Sequence, residues 1–186
     1  MHFFFEKKDR TNRVLIEQII LEKYNQYYRL AYSYVHNEAD ANDIVQNGTY
    51  KALRSSHTLK KAEYAETWIY RIMLNECFQY LKHPKFLSYE AILEKSTAEV
   101  EIGFTEDSYK NIDLQRALDT LSNQDKAVIL LKYFEDKKLE EIADILDENL
   151  STVKSRLYRS IKKLRGILSD EKGEQGYYFS REGVGR

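Results

Sequence analysis

The scarcity of helix-breaking residues is the feature that most constrains the fold of this chain. Its 186 residues contain a single proline, Pro84, and seven glycines, four of which lie in the segment 169–186. Glycine and proline both weaken helix interiors, so a chain that nearly lacks them is expected to be helical. We therefore predict an all-α protein.

Apolar residues recur at helical spacings in two blocks that are separated by an acidic segment. Between Glu90 and Asp107 the apolar periodicity weakens, and the segment contains six acidic residues and one basic residue, Lys95. Because this segment has little apolar patterning, the two blocks are expected to be domains that move independently in the free chain. The predicted parts are an N-terminal extension at 1–19, a small helical domain at 20–84, a flexible acidic linker at 85–110, a second small helical domain at 111–168, and a disordered tail at 169–186.

Composition excludes several classes of protein. The single cysteine, Cys77, rules out an internal disulfide and suits a reducing cytosol. No apolar run is long enough to span a bilayer, and the opening "MHFFFEKKDR" is too short an apolar run for a secretory signal, so a cytoplasmic protein is expected. Four scattered histidines and the lack of a phosphate-binding loop give no sign of a metal, a cofactor, a small-molecule substrate or an enzyme.

The second block ends in the pattern of a helix-turn-helix. The short helix "LEEIADIL" is followed by the polar turn "DENL" and then by a longer helix in which Val153, Leu157, Ile161, Leu164 and Leu168 form one apolar stripe. The span 151–168 carries six bases and no acid, which favours a helix that enters a DNA major groove. A solvated basic surface with no specific role is the alternative.

The first block contains a mostly apolar helix, "TWIYRIMLNECFQYLKH", with one polar seam. On a helical wheel the seam consists of Trp68, Arg71, Asn75, Gln79 and Lys82. An aromatic and two bases beside amides suit contact with unstacked bases and a nucleic-acid backbone. The alternative, which we favour for Trp68 itself, is that this ring belongs to the core and that the seam is its solvated edge.

Three segments in this order resemble the extracytoplasmic-function (ECF) branch of the sigma-70 family. They are "DANDIVQNGTYKAL", similar to the family's acidic polymerase-binding helix; "TWIYRIMLNECFQYLKH", similar to its promoter-melting helix; and "LEEIADILDENLSTVKSRLYRSIKKLR", similar to its DNA-binding helix-turn-helix. The resemblance covers residues 20–168. It departs from the family pattern at Asn42 and Asn47, which replace acids, and at Gly48, which costs a helix interior about 1 kcal/mol relative to alanine.

The resemblance implies a bacterial sigma factor that binds core RNA polymerase and directs promoter-specific transcription initiation, in an envelope or other stress response. It implies that the first domain binds polymerase and melts the −10 element, and that the second reads the −35 element as duplex. The implied partners are core RNA polymerase, promoter DNA and an anti-sigma factor, which in this family is often membrane-anchored. The main alternative is a helix-turn-helix regulator that binds duplex DNA unaided.

The resemblance also assigns roles to individual residues. The expected polymerase contacts are Asp40, Asp43 and Gln46. The expected −10 contacts are Lys60, Lys61, Trp68, Arg71, Asn75 and Gln79, of which Asn75 would capture a flipped base. The expected −35 contacts are Lys132, Thr152, Lys154, Ser155, Arg156, Tyr158, Arg159 and Lys162.

Overall fold

The computed structural model describes residues 2–82 and 106–170, and every regular element in those ranges is a helix. The predicted all-α class is confirmed, whereas most of the predicted linker and tail lie outside the described residues. None of the described helices is long and apolar enough to cross a membrane. The α-helices are α1 (His2–Val35), α2 (Glu38–Arg54), α3 (Ala65–Lys82), α4 (Glu106–Asp119), α5 (Asn123–Tyr133), α6 (Leu139–Leu146) and α7 (Leu150–Asp170), with short 3₁₀ turns at Ser56–Thr58 and Ala62–Tyr64.

Helices α1, α2 and α3 pack together as a first unit. Helix α1 departs from helical geometry at Lys23 and runs through residue 19, where we predicted the extension to end. Ile16, which lies within that extension, is fully buried in the unit's core. Cys77 is buried, and this burial raises the pKa of its thiol to about 12, so the thiol stays protonated and unreactive at neutral pH.

The glycine inside α2 has a packing role that its helix propensity does not reveal. Gly48 is buried, and a β-carbon at this position would overlap the sulfur of Met73 on α3. Met73 is itself 1% exposed, so its side chain has little room to move aside. Gly48 therefore lets α2 and α3 approach closely, which offsets the cost of glycine in a helix interior.

Helices α4 to α7 form a second unit around the helix-turn-helix. Ser122 begins α5 as its N-cap, with the hydroxyl accepting from the Asp125 amide at 3.2 Å. The predicted stripe of α7 is confirmed, since Val153, Leu157 and Leu164 are buried. They share the core with Ile142 and Ala143 of α6.

The two units are in contact, with α3 of the first packed against α6 of the second. The expectation that the two domains move independently in the free chain stays a prediction. The contacts between the units include hydrogen bonds and ion pairs, and several of the hydrogen bonds are accepted by backbone carbonyl oxygens. Such contacts leave no apolar periodicity in the sequence, which is why the pattern of the linker did not indicate them.

Candidate nucleic-acid interface

The turn of the helix-turn-helix forms without a glycine. Asp147 ends α6 in the left-handed conformation, at φ 57°, a region that aspartate tolerates better than most residues. Two residues later, the Asn149 side-chain oxygen accepts from the Thr152 amide at 2.8 Å and from the Thr152 hydroxyl at 2.9 Å. These bonds satisfy donors in the first turn of α7, so Asn149 caps this helix and holds the half-buried Thr152 in place. The assigned contact of Thr152 with DNA stays a prediction.

One face of α7 presents most of the predicted −35 residues to solvent. Tyr158 is 70% exposed, and it flanks the polar face that lies opposite the buried stripe of the helix. A major groove is about 12 Å wide and admits a helix with this kind of polar face. The exposed members of the predicted set are Lys154, Ser155, Tyr158, Arg159 and Lys162.

Arg156 lies apart from that face, because its guanidinium is bound inside the second unit. Its Nε donates to Glu148 Oε2 at 2.8 Å, and its Nη1 donates to Asp125 Oδ1 at 2.8 Å. The hydrogen bonds that Arg156 donates to Glu148 raise the pKa of Arg156 above its ordinary value, although partial burial opposes this. The geometry thus gives Arg156 the role of joining α5, the turn and α7, while the assigned contact with DNA stays a prediction.

Lys132 also lies away from the exposed face of α7. It is half-buried near the end of α5, and its ammonium group lies 3.4 Å from the carbonyl oxygen of Lys137. Its assignment as a phosphate contact stays a prediction.

In the first unit, α3 presents part of the predicted −10 seam to solvent. Asn75 and Gln79 are exposed one turn apart on this helix. Beside them, Lys51 of α2 lies 2.5 Å from Glu76 Oε1 and 3.5 Å from Gln79 Oε1. Glu76, which the helical wheel did not single out, is 9% exposed and fixes Lys51 next to the seam.

Trp68 and Arg71, at the other end of the seam, face the second unit. The Arg71 guanidinium donates to the carbonyl oxygens of Asp144 at 2.6 Å and Ile145 at 3.3 Å, and to Asp147 Oδ1 at 3.1 Å. Trp68 is half-buried and packs at the edge of the core, as the favoured alternative for this ring predicted. The structure therefore divides the predicted −10 set between a part that faces solvent and a part that faces α6.

The basic loop before α3 carries Lys60 and Lys61, both exposed. Asn12 of α1 holds this loop, because its buried amide nitrogen donates to the carbonyl oxygens of Ser56 and Leu59 at 3.1 Å each. Sequence reasoning missed Asn12. The sequence does contain a signal for it. Asn12 lies one helical turn before Ile16, so its amide is expected on the same buried face of α1.

The three predicted polymerase contacts lie on α2. Gln46 is exposed, whereas Asp40 and Asp43 are half-buried near the end of α3. The pKa of Tyr80 is raised to about 12, mainly by burial and next by a hydrogen bond to Asp40. The tyrosine hydroxyl therefore stays protonated and can hold the Asp40 carboxylate in place.

These features define a two-unit helical protein of the DNA-binding class, with a helix-turn-helix in the second unit and a polar seam in the first. The family model for sigma-70 region 2 matches residues 19–85, and that for sigma-70 region 4 matches residues 111–164. RNA polymerase sigma factor SigV of Bacillus subtilis is 41% identical over 89% of this chain and 98% of its own length. The chain belongs to the sigma-70 family, in its ECF branch.

Two further similarities agree with this. The ECF RNA polymerase sigma factor SigE of Mycolicibacterium smegmatis is 29% identical over 85% of this chain and 63% of its own length. The structure of the sigma factor RpoE in complex with the anti-sigma factor NepR from Bartonella quintana has the same fold. Its TM-score is 0.62 at 20% identity, with 82% of this chain and 96% of that chain covered. Members of this family are transcription initiation factors and not enzymes.

Proposed function

We propose that this protein binds core RNA polymerase and directs it to promoters by contacting the −10 and −35 elements with separate units. The observation that carries the proposal is that both sigma-70 regions occur in one chain, each with a solvent-exposed polar face. A regulator that binds duplex DNA unaided would account for the helix-turn-helix. It would not account for the amide-bearing seam of α3.

The −35 contact is assigned to α7. Lys154, Ser155 and Arg159 lie in the N-terminal half of this helix and are placed to contact base edges, whereas Lys162 comes one turn later and suits a phosphate. Tyr158 adds an exposed aromatic hydroxyl on the same face. This division predicts that the two groups contribute differently to specificity.

The −10 contact is assigned to α3 and the loop before it. Asn75 is exposed and can both donate and accept a hydrogen bond along the edge of a flipped base. Gln79 lies one turn further on, and the exposed Lys60 and Lys61 are placed to neutralise the strand's phosphates. The nearby α2, with Asp40, Asp43 and Gln46, is assigned to polymerase.

The proposal places the protein in the cytoplasm, where polymerase and chromosome are, and gives it no catalytic step of its own. It also includes control by an anti-sigma factor. The fold shared with RpoE, which was solved in complex with the anti-sigma factor NepR, supports such a partner.

Reconstitution with core RNA polymerase from Bacillus subtilis tests the proposal, since that organism supplies the 41% identical relative. The holoenzyme is used for run-off transcription on fragmented chromosomal DNA, and the 5′ ends of the RNA are sequenced. We expect start sites with one shared pair of upstream elements that core enzyme alone does not use.

The same preparation distinguishes the proposal from the alternative, a regulator that binds duplex DNA unaided. Binding of the purified chain to these promoter duplexes is measured with and without core polymerase. Tight, sequence-specific binding by the chain alone, with no new start sites in the presence of polymerase, would support a stand-alone regulator and contradict the proposal.

A further inference from the structure

The side-chain amide of Gln79 has two chemically different ends. Its oxygen accepts hydrogen bonds and its NH₂ group donates them, so an amide that rotates freely binds either kind of base edge. Gln79 is exposed on α3, one turn after Asn75, in the part of the seam that faces solvent. The end of the amide that is directed away from the protein therefore decides which bases Gln79 selects.

Lys51 of α2 fixes the orientation of this amide. Its Nζ atom lies 3.5 Å from Gln79 Oε1. An ammonium group has three donors and no acceptor, so the amide oxygen is the end that lies against Lys51, and the NH₂ group is directed away from it. The reverse orientation would bring the donors of both groups together. Gln79 is thereby left with donors for a partner outside the protein.

Glu76 holds Lys51 in the position that orients Gln79. Glu76 Oε1 lies 2.5 Å from the Nζ atom of Lys51, and the Glu76 side chain is only 10% exposed, whereas that of Lys51 is 47% exposed. A carboxylate this far from solvent needs a compensating partner, because an unpaired buried charge is strongly unfavourable. A lysine side chain on an open surface samples many rotamers, but this pairing holds Lys51 against α3. The three groups form a chain from a buried carboxylate, through an ammonium group, to an exposed amide.

The charge balance of this chain of groups distinguishes it from a phosphate contact. A lysine that binds phosphates strengthens binding to every DNA sequence and makes that binding more dependent on salt. The Lys51 ammonium group lies against the Glu76 carboxylate, so the pair adds no net charge beside the seam. Its effect on DNA binding is therefore expected through the orientation of Gln79.

We propose that Lys51 and Glu76 are positioning residues that present Gln79 to the −10 element as a hydrogen-bond donor only. Gln79 then favours a base whose major-groove edge offers an acceptor, such as O4 of thymine or N7 and O6 of guanine. It disfavours cytosine, whose major-groove edge offers only the N4 donor. This assignment rests on the proposed function, because that function places Gln79 at the −10 element.

The double variant Lys51→Met, Glu76→Leu tests the proposal without changing the net charge. It removes the donor next to Gln79, and replacement of a buried ion pair by apolar side chains of similar volume is often tolerated. The matched control is Arg13→Met, Glu17→Leu, which removes an exposed ion pair of α1, 3.4 Å in length, and likewise keeps the net charge. Circular dichroism and thermal melting establish that each variant is folded. If the double variant does not fold, Gln79→Glu carries the test, since Gln79 is exposed.

Transcription by reconstituted holoenzyme measures base selection. Each position of the −10 element of one promoter from the run-off experiment is replaced by all four bases, and the transcripts are counted by sequencing and normalised for each variant. At the position where Gln79→Glu changes the base preference, wild type and control should disfavour cytosine about fivefold or more. The double variant should disfavour it less than about twofold, since its amide offers either end. Gln79→Glu offers an acceptor and should favour cytosine there.

The orientation of the amide is measured separately in the free chain. Relaxation of the ¹⁵N nucleus in the Gln79 side-chain amide reports its motion on the picosecond-to-nanosecond timescale. We expect this amide to be restricted in wild type and in the control, and more mobile in Lys51→Met, Glu76→Leu. Equal mobility in wild type and double variant would overturn the inference, because Lys51 would then not hold the amide.

The transcription results separate the inference from the proposed function. If wild-type holoenzyme uses specific promoters but Gln79→Glu changes no base preference, or the double variant keeps the wild-type preference, the inference fails and the proposed function stands. Losses in the double variant that are equal for all four bases and disappear at low salt would make Lys51 a phosphate contact, which also overturns the inference. If the wild-type chain directs no specific transcription, the proposed function fails, and the reading of the −10 element by Gln79 fails with it.

Discussion

The Nη1 atom of Arg156 lies 2.8 Å from Oδ1 of Asp125, a residue 31 positions earlier in the chain. The bond joins the second helix of the helix-turn-helix to the first turn of α5. Partial burial opposes ionisation of Asp125, but the hydrogen bond from Arg156 outweighs it and holds the pKa of that carboxyl below its ordinary value. A basic residue in a predicted DNA-reading helix therefore serves the internal packing of that unit.

The first prediction is that Arg156→Ala destabilises the second unit. The substitution removes charged hydrogen bonds to Asp125 and Glu148, whose side chains are only 23% and 20% exposed. We expect the free energy of unfolding to fall by about 2–3 kcal/mol. Urea denaturation followed by far-ultraviolet circular dichroism measures it. Arg159→Ala, on the exposed face of the same helix, is the control and should leave stability within about 0.5 kcal/mol.

The second prediction is that Arg159→Ala changes which −35 sequence is used. A good bidentate contact to a base discriminates by about 1–3 kcal/mol, so preference for the cognate element should fall about tenfold or more. Transcription by reconstituted holoenzyme on cognate and scrambled −35 templates, at several salt concentrations, measures this. Lys162→Ala should instead weaken both templates alike, because a phosphate contact carries no sequence information. Equal, salt-sensitive losses for Arg159→Ala would make it a phosphate contact as well.

How far the sequence predicts the structure depends on how local each feature is. The stripe of Val153, Leu157 and Leu164 is set by spacing within one helix, and it was predicted correctly. The partner of Arg156 was not predicted, because Asp125 lies on another helix and only tertiary packing brings them together. The hydrogen bonds from Arg71 to the second unit were not predicted either, since two of the acceptors are backbone carbonyl groups, which any residue type provides.

The third prediction concerns strand opening. Asn75 is exposed on α3, so Asn75→Ala removes a polar contact without disturbing the core. We expect holoenzyme to form normally and open complexes to become about tenfold or more rarer, which permanganate reactivity of unpaired thymines at the promoter measures. A template with a pre-melted −10 element is the control. If Asn75 is needed to open the duplex, the variant should be less impaired on this template than on the intact duplex. Normal opening of the intact duplex by the variant would show that the seam is structural at this position.

The last prediction is that acid separates the two units through Glu66. This carboxylate faces Lys23 and Tyr27 of α1, Tyr70 of α3 and Lys137 of the loop after α5, with Lys23 Nζ at 2.8 Å. Partial burial alone would raise its pKa, but the hydrogen bonds from Lys137 and Lys23 outweigh this and hold the pKa below the ordinary 4.5. A group whose pKa is lowered by folding stabilises the folded arrangement above its ordinary pKa. That contribution is lost as the pH falls through the lowered value.

The pH dependence of Trp68 fluorescence measures this loss. In the wild type, acrylamide quenching of Trp68 fluorescence should increase as the pH falls below 4.5. The reason is that protonated Glu66 of the first unit no longer forms an ion pair with Lys137 of the second unit. Glu66→Gln should begin with greater quenching at neutral pH and should lack this part of the acid-induced increase. Far-ultraviolet circular dichroism at each pH confirms that the helices remain formed over the range compared. If Glu66→Gln followed the wild-type curve throughout, another carboxylate would control the separation, and Glu135→Gln would be the next substitution to compare.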